Sequence, residues 1–265
     1  MSVKKYLAVI VTSIMMLPAY GQQDPIKDVN EIVKKAYQSC YYPGDDGQRK
    51  ARMMIVDKEG NKQLRQFNVY RKDKEDAGDQ DFLVVFERPS DVKGTVFLVN
   101  KHIETDDDRW LYLPGLDLEK RISASDKRTS FVGSNYFYED ISGRNYKLDT
   151  YQMIEETDEF FLIKGTPKDE GSVEFSYFTM KVEKENFMPL EIDFFKPGDK
   201  AYRKVEILEV DEVDGYPTVF KSKITDYETG GYTLVQFKKP AYNVGLQDTL
   251  FTQRSLRNPP KDLQN

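Results

Sequence analysis

The feature that most constrains this chain is its rhythm of short strand-like runs. Thirteen stretches (50–57, 63–72, 81–87, 95–100, 109–113, 118–122, 148–155, 159–166, 173–182, 190–196, 202–210, 218–227 and 232–238) are rich in β-branched and aromatic residues, with turn residues between them. Lys58-Glu59-Gly60-Asn61, Pro114-Gly115, Pro197-Gly198-Asp199, Asp214-Gly215 and Gly230-Gly231 are the clearest breaks. Hairpin-length turns predict an antiparallel meander, because parallel neighbours need crossovers of about a dozen residues or more. The 17 Tyr and 16 Phe against one Trp fit this reading, since such residues favour pleated surfaces and can also wall a cavity. No repeat or linker interrupts the pattern, which predicts one domain over residues 22–265.

Residues 1–21 read as an address. Lys4 and Lys5 precede an apolar run from Tyr6 to Leu17, followed by Pro18 and Ala19-Tyr20-Gly21. That is the pattern of a cleavable signal peptide, with cleavage expected before Gln22. The run is short of the ~20 residues that span a bilayer. No cysteine lies near the cleavage site, so a soluble periplasmic product without a lipid anchor is expected.

One amphipathic helix should follow. Asp24-Pro25 or Asp28 can cap it, Ile26, Val29, Ile32, Val33 and Tyr37 fall at helical spacing, and Pro43-Gly44-Asp45-Asp46-Gly47 stops it. The lone Cys40 cannot form an intramolecular disulfide and reads as a small apolar residue at the helix end. The stability of the fold must therefore come from its core.

Two features suggest a cavity. Strands with one wet face alternate, as Leu190, Ile192 and Phe194 do against Glu191 and Asp193, but Phe82 to Phe86 and Val96 to Val99 are apolar on both faces. Such strands need cover on both sides, as in a closed sandwich or in a curved sheet with a helix inside it. The segment 123–146 is polar and glycine-rich yet carries Phe131, Tyr136, Phe137, Tyr138 and Ile141. Long excursions inside compact domains are usually functional. Paired with the amphipathic helix, this one is expected to lid an open sheet.

The residues of this region also carry a resemblance. Asp108-Arg109-Trp110-Leu111-Tyr112-Leu113-Pro114-Gly115-Leu116, then Lys120-Arg121-Ile122, Ser130-Phe131-Val132-Gly133-Ser134 and Tyr138-Glu139-Asp140-Ile141 closely resemble the outer-membrane lipoprotein-sorting proteins of the LolA/LolB-like superfamily. The likeness takes in Phe86-Glu87-Arg88-Pro89 to Lys93-Gly94 and reaches Asp248, Phe251 and Thr252. It implies a mainly β fold: a half-open, strongly curved antiparallel β-barrel of about eleven strands, with an N-terminal helix and a short helical lid over a hydrophobic cavity. It implies a periplasmic carrier, a chaperone that transports lipoprotein acyl chains or other lipid towards the outer membrane. The branch resembled is one often associated with inner-membrane exporters of the resistance-nodulation-division (RND) class. Such an exporter, or a lipoprotein-releasing complex, is the implied partner, and the alternative function is a non-carrier accessory or adaptor protein of that exporter. A monomer is expected.

On this reading Phe82, Val84, Phe86, Val96, Leu98, Trp110, Tyr112, Phe131, Phe137 and Phe175 are candidate cavity or lid residues. Arg109 and Arg121 flank the lid and are candidates to hydrogen-bond its carbonyls. An ordinary core role, or a solvated charge for the arginines, is the alternative for each.

Catalysis lacks a chemical centre. The only histidine, His102, follows a strand in a polar stretch, and one His with one Cys cannot assemble a usual zinc site. Asp106-Asp107-Asp108 lacks the alternate spacing and glycine of a calcium loop. Walker-type and dinucleotide-type glycine loops are absent. No enzyme, cofactor or metal is therefore expected. The net charge of -6, with charges interspersed, argues against nucleic acid, which needs a basic face.

Overall fold

Asp28 opens helix α1 (Val29–Tyr41) by accepting a hydrogen bond from the Asn30 amide at 2.9 Å. The computed structural model describes residues 28–260; the signal segment expected over 1–21, the Asp24-Pro25 cap and Ile26 lie outside them. Ile32, Val33, Ala36 and Tyr37 form the buried stripe of α1. Gly44, in the left-handed region at φ +71°, turns the chain out of the helix into the sheet.

The first half of the sheet comprises β1 (Asp46–Val56), β2 (Lys62–Asp73), β3 (Gln80–Arg88), β4 (Val96–Lys101), β5 (Asp108–Leu113) and β6 (Leu118–Ile122). The second comprises β7 (Asp149–Glu156), β8 (Phe160–Pro167), β9 (Tyr177–Glu183), β10 (Pro189–Lys196), β11 (Lys200–Val213), β12 (Tyr216–Asp226) and β13 (Gly231–Phe237), with a two-residue β14 (Ala241–Tyr242) beside the start of β1. All thirteen strand runs read from the sequence appear, and β14 is added. The strands form one antiparallel sheet in the order β6-β5-β4-β3-β2-β1-β13-β12-β11-β10-β9-β8-β7. The pairing of β1 with β13 joins the two halves, Ala51 opposite Phe237 and Val56 opposite Tyr232.

One expectation changes. The sheet has fourteen strands rather than about eleven, because each half is a complete meander and the register of β1 with β13 fuses them. The sheet is open, as a half-open barrel requires: β6 and β7 are its two edges, and neither pairs with the other.

The segment between those edge strands crosses the inner face. It contains a 3₁₀ turn at Ala124–Asp126 and helix α2 (Tyr138–Ser142). One turn of α2 touches both halves: Tyr138 packs on Phe97 of β4 with ring centres 5.2 Å apart, and Asp140 pairs with Arg203 of β11. Those strands stand six places apart in the sheet. On a flat sheet with ~4.8 Å between strands they would be roughly 29 Å apart. The sheet therefore bends around the segment.

Three apolar clusters follow. On the inner face, Ala51, Met53, Phe67, Phe82, Val84, Phe86 and Phe97 pack against Phe131 and Tyr138. In the second half, α1 sits on Ile163, Phe178, Met180, Val182 and Phe194, with Phe175 beside them. The third cluster lies on the outer face of β2 to β5, where Tyr70, Leu83, Val85, Val96 and Leu98 are covered by Leu246, Phe251 and Leu256 of the C-terminal segment. This explains the strands that read as apolar on both faces. Their second cover is the chain's own tail.

Candidate functional site: a roofed apolar cavity

Between the inner face and its roof lies a cavity of about 260 Å³. Strand alternation builds its walls. Met53 of β1, Phe67 and Val69 of β2, and Phe82 and Val84 of β3 point inward from the first half. Ile192 and Phe194 of β10, Val205 and Ile207 of β11, Ile224 of β12 and Val235 of β13 face them from the second. The roof is Cys40 and Tyr41 at the end of α1 with Tyr136, Asp140, Ile141 and Arg144 of the crossing segment.

Roof and walls are joined by specific bonds. Tyr136 Oη lies 2.7 Å from Ser222 Oγ of β12, the Asn135 amide donates to Thr233 Oγ1 of β13 at 3.0 Å, and Arg203 Nη2 reaches the Asn135 carbonyl at 3.3 Å. On the other side the buried Lys101 ammonium donates to the carbonyls of Ser142 (2.9 Å) and Gly143 (2.6 Å), which end α2. Tyr41 Oη reaches the Asp140 carbonyl at 3.4 Å, tying α1 to α2. Burial pushes the Cys40 thiol up to about 12 and raises the Tyr41 and Tyr136 hydroxyls, so all three are neutral at ordinary pH.

The candidates read from the sequence fall in different places. Phe82 and Val84 line the cavity. Phe86 and Phe131 lie deeper in the same inner cluster, with ring centres 5.7 Å apart. Phe137 belongs to the crossing segment and lies beneath the guanidiniums of Arg203 (4.3 Å) and Arg128 (5.1 Å). Phe175 precedes β9 instead of lying within a strand and packs on Phe194 below α1. Val96, Leu98, Trp110 and Tyr112 point to the outer face and the C-terminal segment. Arg109, only 3% exposed, pairs with Asp107 at 2.5 Å, and Arg121 pairs with Asp108 at 2.5 Å. The lid carbonyls are instead held by Lys101 and Arg203.

Sequence reasoning did not single out Lys101, Arg203 or the inward arginines. One signal was available: Arg49 lies in phase with Ala51, Met53 and Ile55 on the buried side of β1.

The polar groups weighed for catalysis are accounted for by one another. His102 Nδ1 lies 2.9 Å from Asp79, whose hydrogen bond raises the imidazole pKa. Asp107 and Asp108 hold the two arginines named above. Among the described residues no three His, Cys, Asp or Glu side chains converge as a metal site would need.

The same architecture occurs in solved structures. A family model described as "-like: Uncharacterized protein" matches residues 78–258, more than half of the chain. A DUF1329 family protein from Desulfovibrio piger is 30% identical, covers 88% of this chain and 100% of its own, and superposes with a TM-score of 0.79. The chain belongs to the DUF1329 family. The fold reaches beyond DUF1329. A domain assigned to outer-membrane lipoprotein sorting from Vibrio parahaemolyticus matches at TM-score 0.78 with 23% identity, covering 86% of this chain and 97% of its own. A LolA superfamily protein from Nitrosomonas europaea matches at 0.65 with 20% identity, covering 84% and 97%. At those identities the likeness is one of fold, and it gives this DUF1329 chain the LolA-like architecture expected from its sequence. No curated protein matches the chain.

Proposed function

We propose that this DUF1329 protein is a periplasmic lipid carrier that takes acyl chains into the roofed cavity and shuttles them towards the outer membrane. The observation that carries the reading is the cavity itself, walled by inward aliphatic and aromatic side chains of both half-sheets and closed by a roof that hydrogen bonds, rather than covalent links, hold in place. The LolA-like fold supports it, since a relative in fold is assigned to lipoprotein sorting. An acyl chain gains about 0.8 kcal/mol per buried CH₂. A greasy wall therefore supplies affinity without a precise polar match, and release requires the roof to lift or the walls to part. Arg71, Arg128, Arg144 and Asp140 at the cavity are engaged in ion pairs, which suits a binding protein better than an enzyme.

Native mass spectrometry of protein purified from its own cells, followed by lipid extraction, tests the reading. Bound, exchangeable lipid is expected. Protein that stays free of lipid, and takes none up from acyl-chain donors, overturns it.

A further inference from the structure

Four arginines reach the cavity wall, Arg49, Arg71, Arg128 and Arg144, against one carboxylate, Asp140. Three of the four are neutralised within the fold. Arg71 pairs with Asp73 and donates to the carbonyls of Pro43 (2.7 Å) and Gly44 (2.8 Å). Arg128 pairs with Glu139 and Glu174, each at 2.7 Å. Arg144 pairs with Asp149 at 2.9 Å and Glu139 at 3.4 Å. Asp140 is taken by Arg203, which leaves no free carboxylate on the wall.

Arg49 is different. Its guanidinium lies 3.7 Å over the Phe237 ring, and Nη1 donates to the Val219 carbonyl at 3.0 Å. Among the described residues it has no carboxylate partner. The titratable groups whose charge bears on it are the Tyr242 and Tyr136 hydroxyls, the Cys40 thiol and the Arg71 cation, so none supplies a resident anion. A guanidinium carries five N–H donors in a planar fork, and one is used here. The Arg49 side chain is partly exposed, so its remaining N–H donors are open to the cavity rather than sealed off from water, and burial lowers its pKa. Lys50 and Arg52, its neighbours on β1, point to solvent. A strand that needed only a surface charge at this point already has two.

We propose that the cavity takes an amphiphile with one anionic headgroup, a carboxylate or a phosphate, and that Arg49 binds that group while the chain lies along Met53, Phe67 and Val84. The inference rests on the carrier reading and names the class of its cargo. The fork of Arg49 suits two oxygens of one headgroup, a geometry that neutral lipids do not offer.

The test compares three probes of equal chain length, hexadecanoate, hexadecyl phosphate and hexadecanol, titrated calorimetrically into delipidated full-chain protein. The two anions are expected to bind at least tenfold tighter than the alcohol. Arg49→Gln should remove that preference while changing hexadecanol affinity less than twofold, and Arg49→Lys should retain part of it. The anion that binds tighter identifies the source, a free fatty acid or a phospholipid, and either result supports the proposal. Equal affinity for all three probes overturns the anionic cargo and leaves the carrier reading standing. Binding of none overturns the carrier reading and the headgroup assignment together. The comparison within the wild-type protein holds even if Arg49→Gln fails to fold.

Discussion

Glu139 shows what single residues contribute to the roof. It is 2% exposed and meets Arg128 at 2.7 Å, Arg144 at 3.4 Å and Lys127 at 3.6 Å. Burial alone would raise its carboxyl, but Arg128, Arg144 and Lys127 outweigh that and hold it at about 2. A carboxyl lowered on folding contributes stability that is fully present above its unfolded value, near 4.5, and is lost as pH falls through the folded value. At about 1.4 kcal/mol per pKa unit, some 3 kcal/mol is expected to go between pH 5 and pH 2. Glu139→Gln should flatten that part of the stability profile in urea titrations. At pH 7 it should destabilise by about 3–5 kcal/mol, because three buried cations lose a shared partner. An unchanged acid limb in the variant would refute the assignment.

At the scale of elements, the C-terminal segment acts as the outer cover of the first half-sheet. Leu256 is fully buried against the outer cluster, and Asn100 Nδ2 of β4 holds the Phe251 carbonyl at 3.1 Å. Leu256→Ala should cost about 2–5 kcal/mol in chemical denaturation, the range for truncating a buried leucine. A loss under about 1 kcal/mol would mean that the tail is only loosely seated. Much of this level was legible in advance: the helix, the thirteen strand runs and the crossing segment all follow from turn residues and periodicity. The inward face was not. Alternation assigns residues to two faces without saying which is inside, and β3 and β4 are apolar on both because the tail supplies the second cover. Hence Phe82 and Val84 line the cavity while Val96 and Leu98 face away from it, although all four look alike in sequence. Arg49 and Lys101 fall one residue outside the runs 50–57 and 95–100, and their partners, an aromatic ring and the carbonyls of α2, are distant in the chain.

For the whole molecule, the open edges matter most. A cavity of about 260 Å³ falls below the roughly 300–1,000 Å³ typical of ligand sites, so loading should enlarge it. Edges β6 and β7 do not pair with each other, so they can move apart while the β1–β13 ladder stays intact. Spin labels at Leu118 on β6 and Ile154 on β7, both exposed, are expected to move apart when lipid binds, as measured by pulsed dipolar spectroscopy. An unchanged distance in a lipid-loaded sample would place the whole adjustment in the roof.

The tail has one more consequence, for the order in which the chain can fold. Strands β3 and β4 are made early, yet their outer face stays wet until residues 246–256 arrive, after every strand has been made. β1 likewise waits for β13. Contacts so distant in sequence form slowly. The first half of this protein cannot be completed as it leaves the ribosome, and a chain stopped short of its last twenty residues would present β2 to β5 to whatever apolar surface it met first.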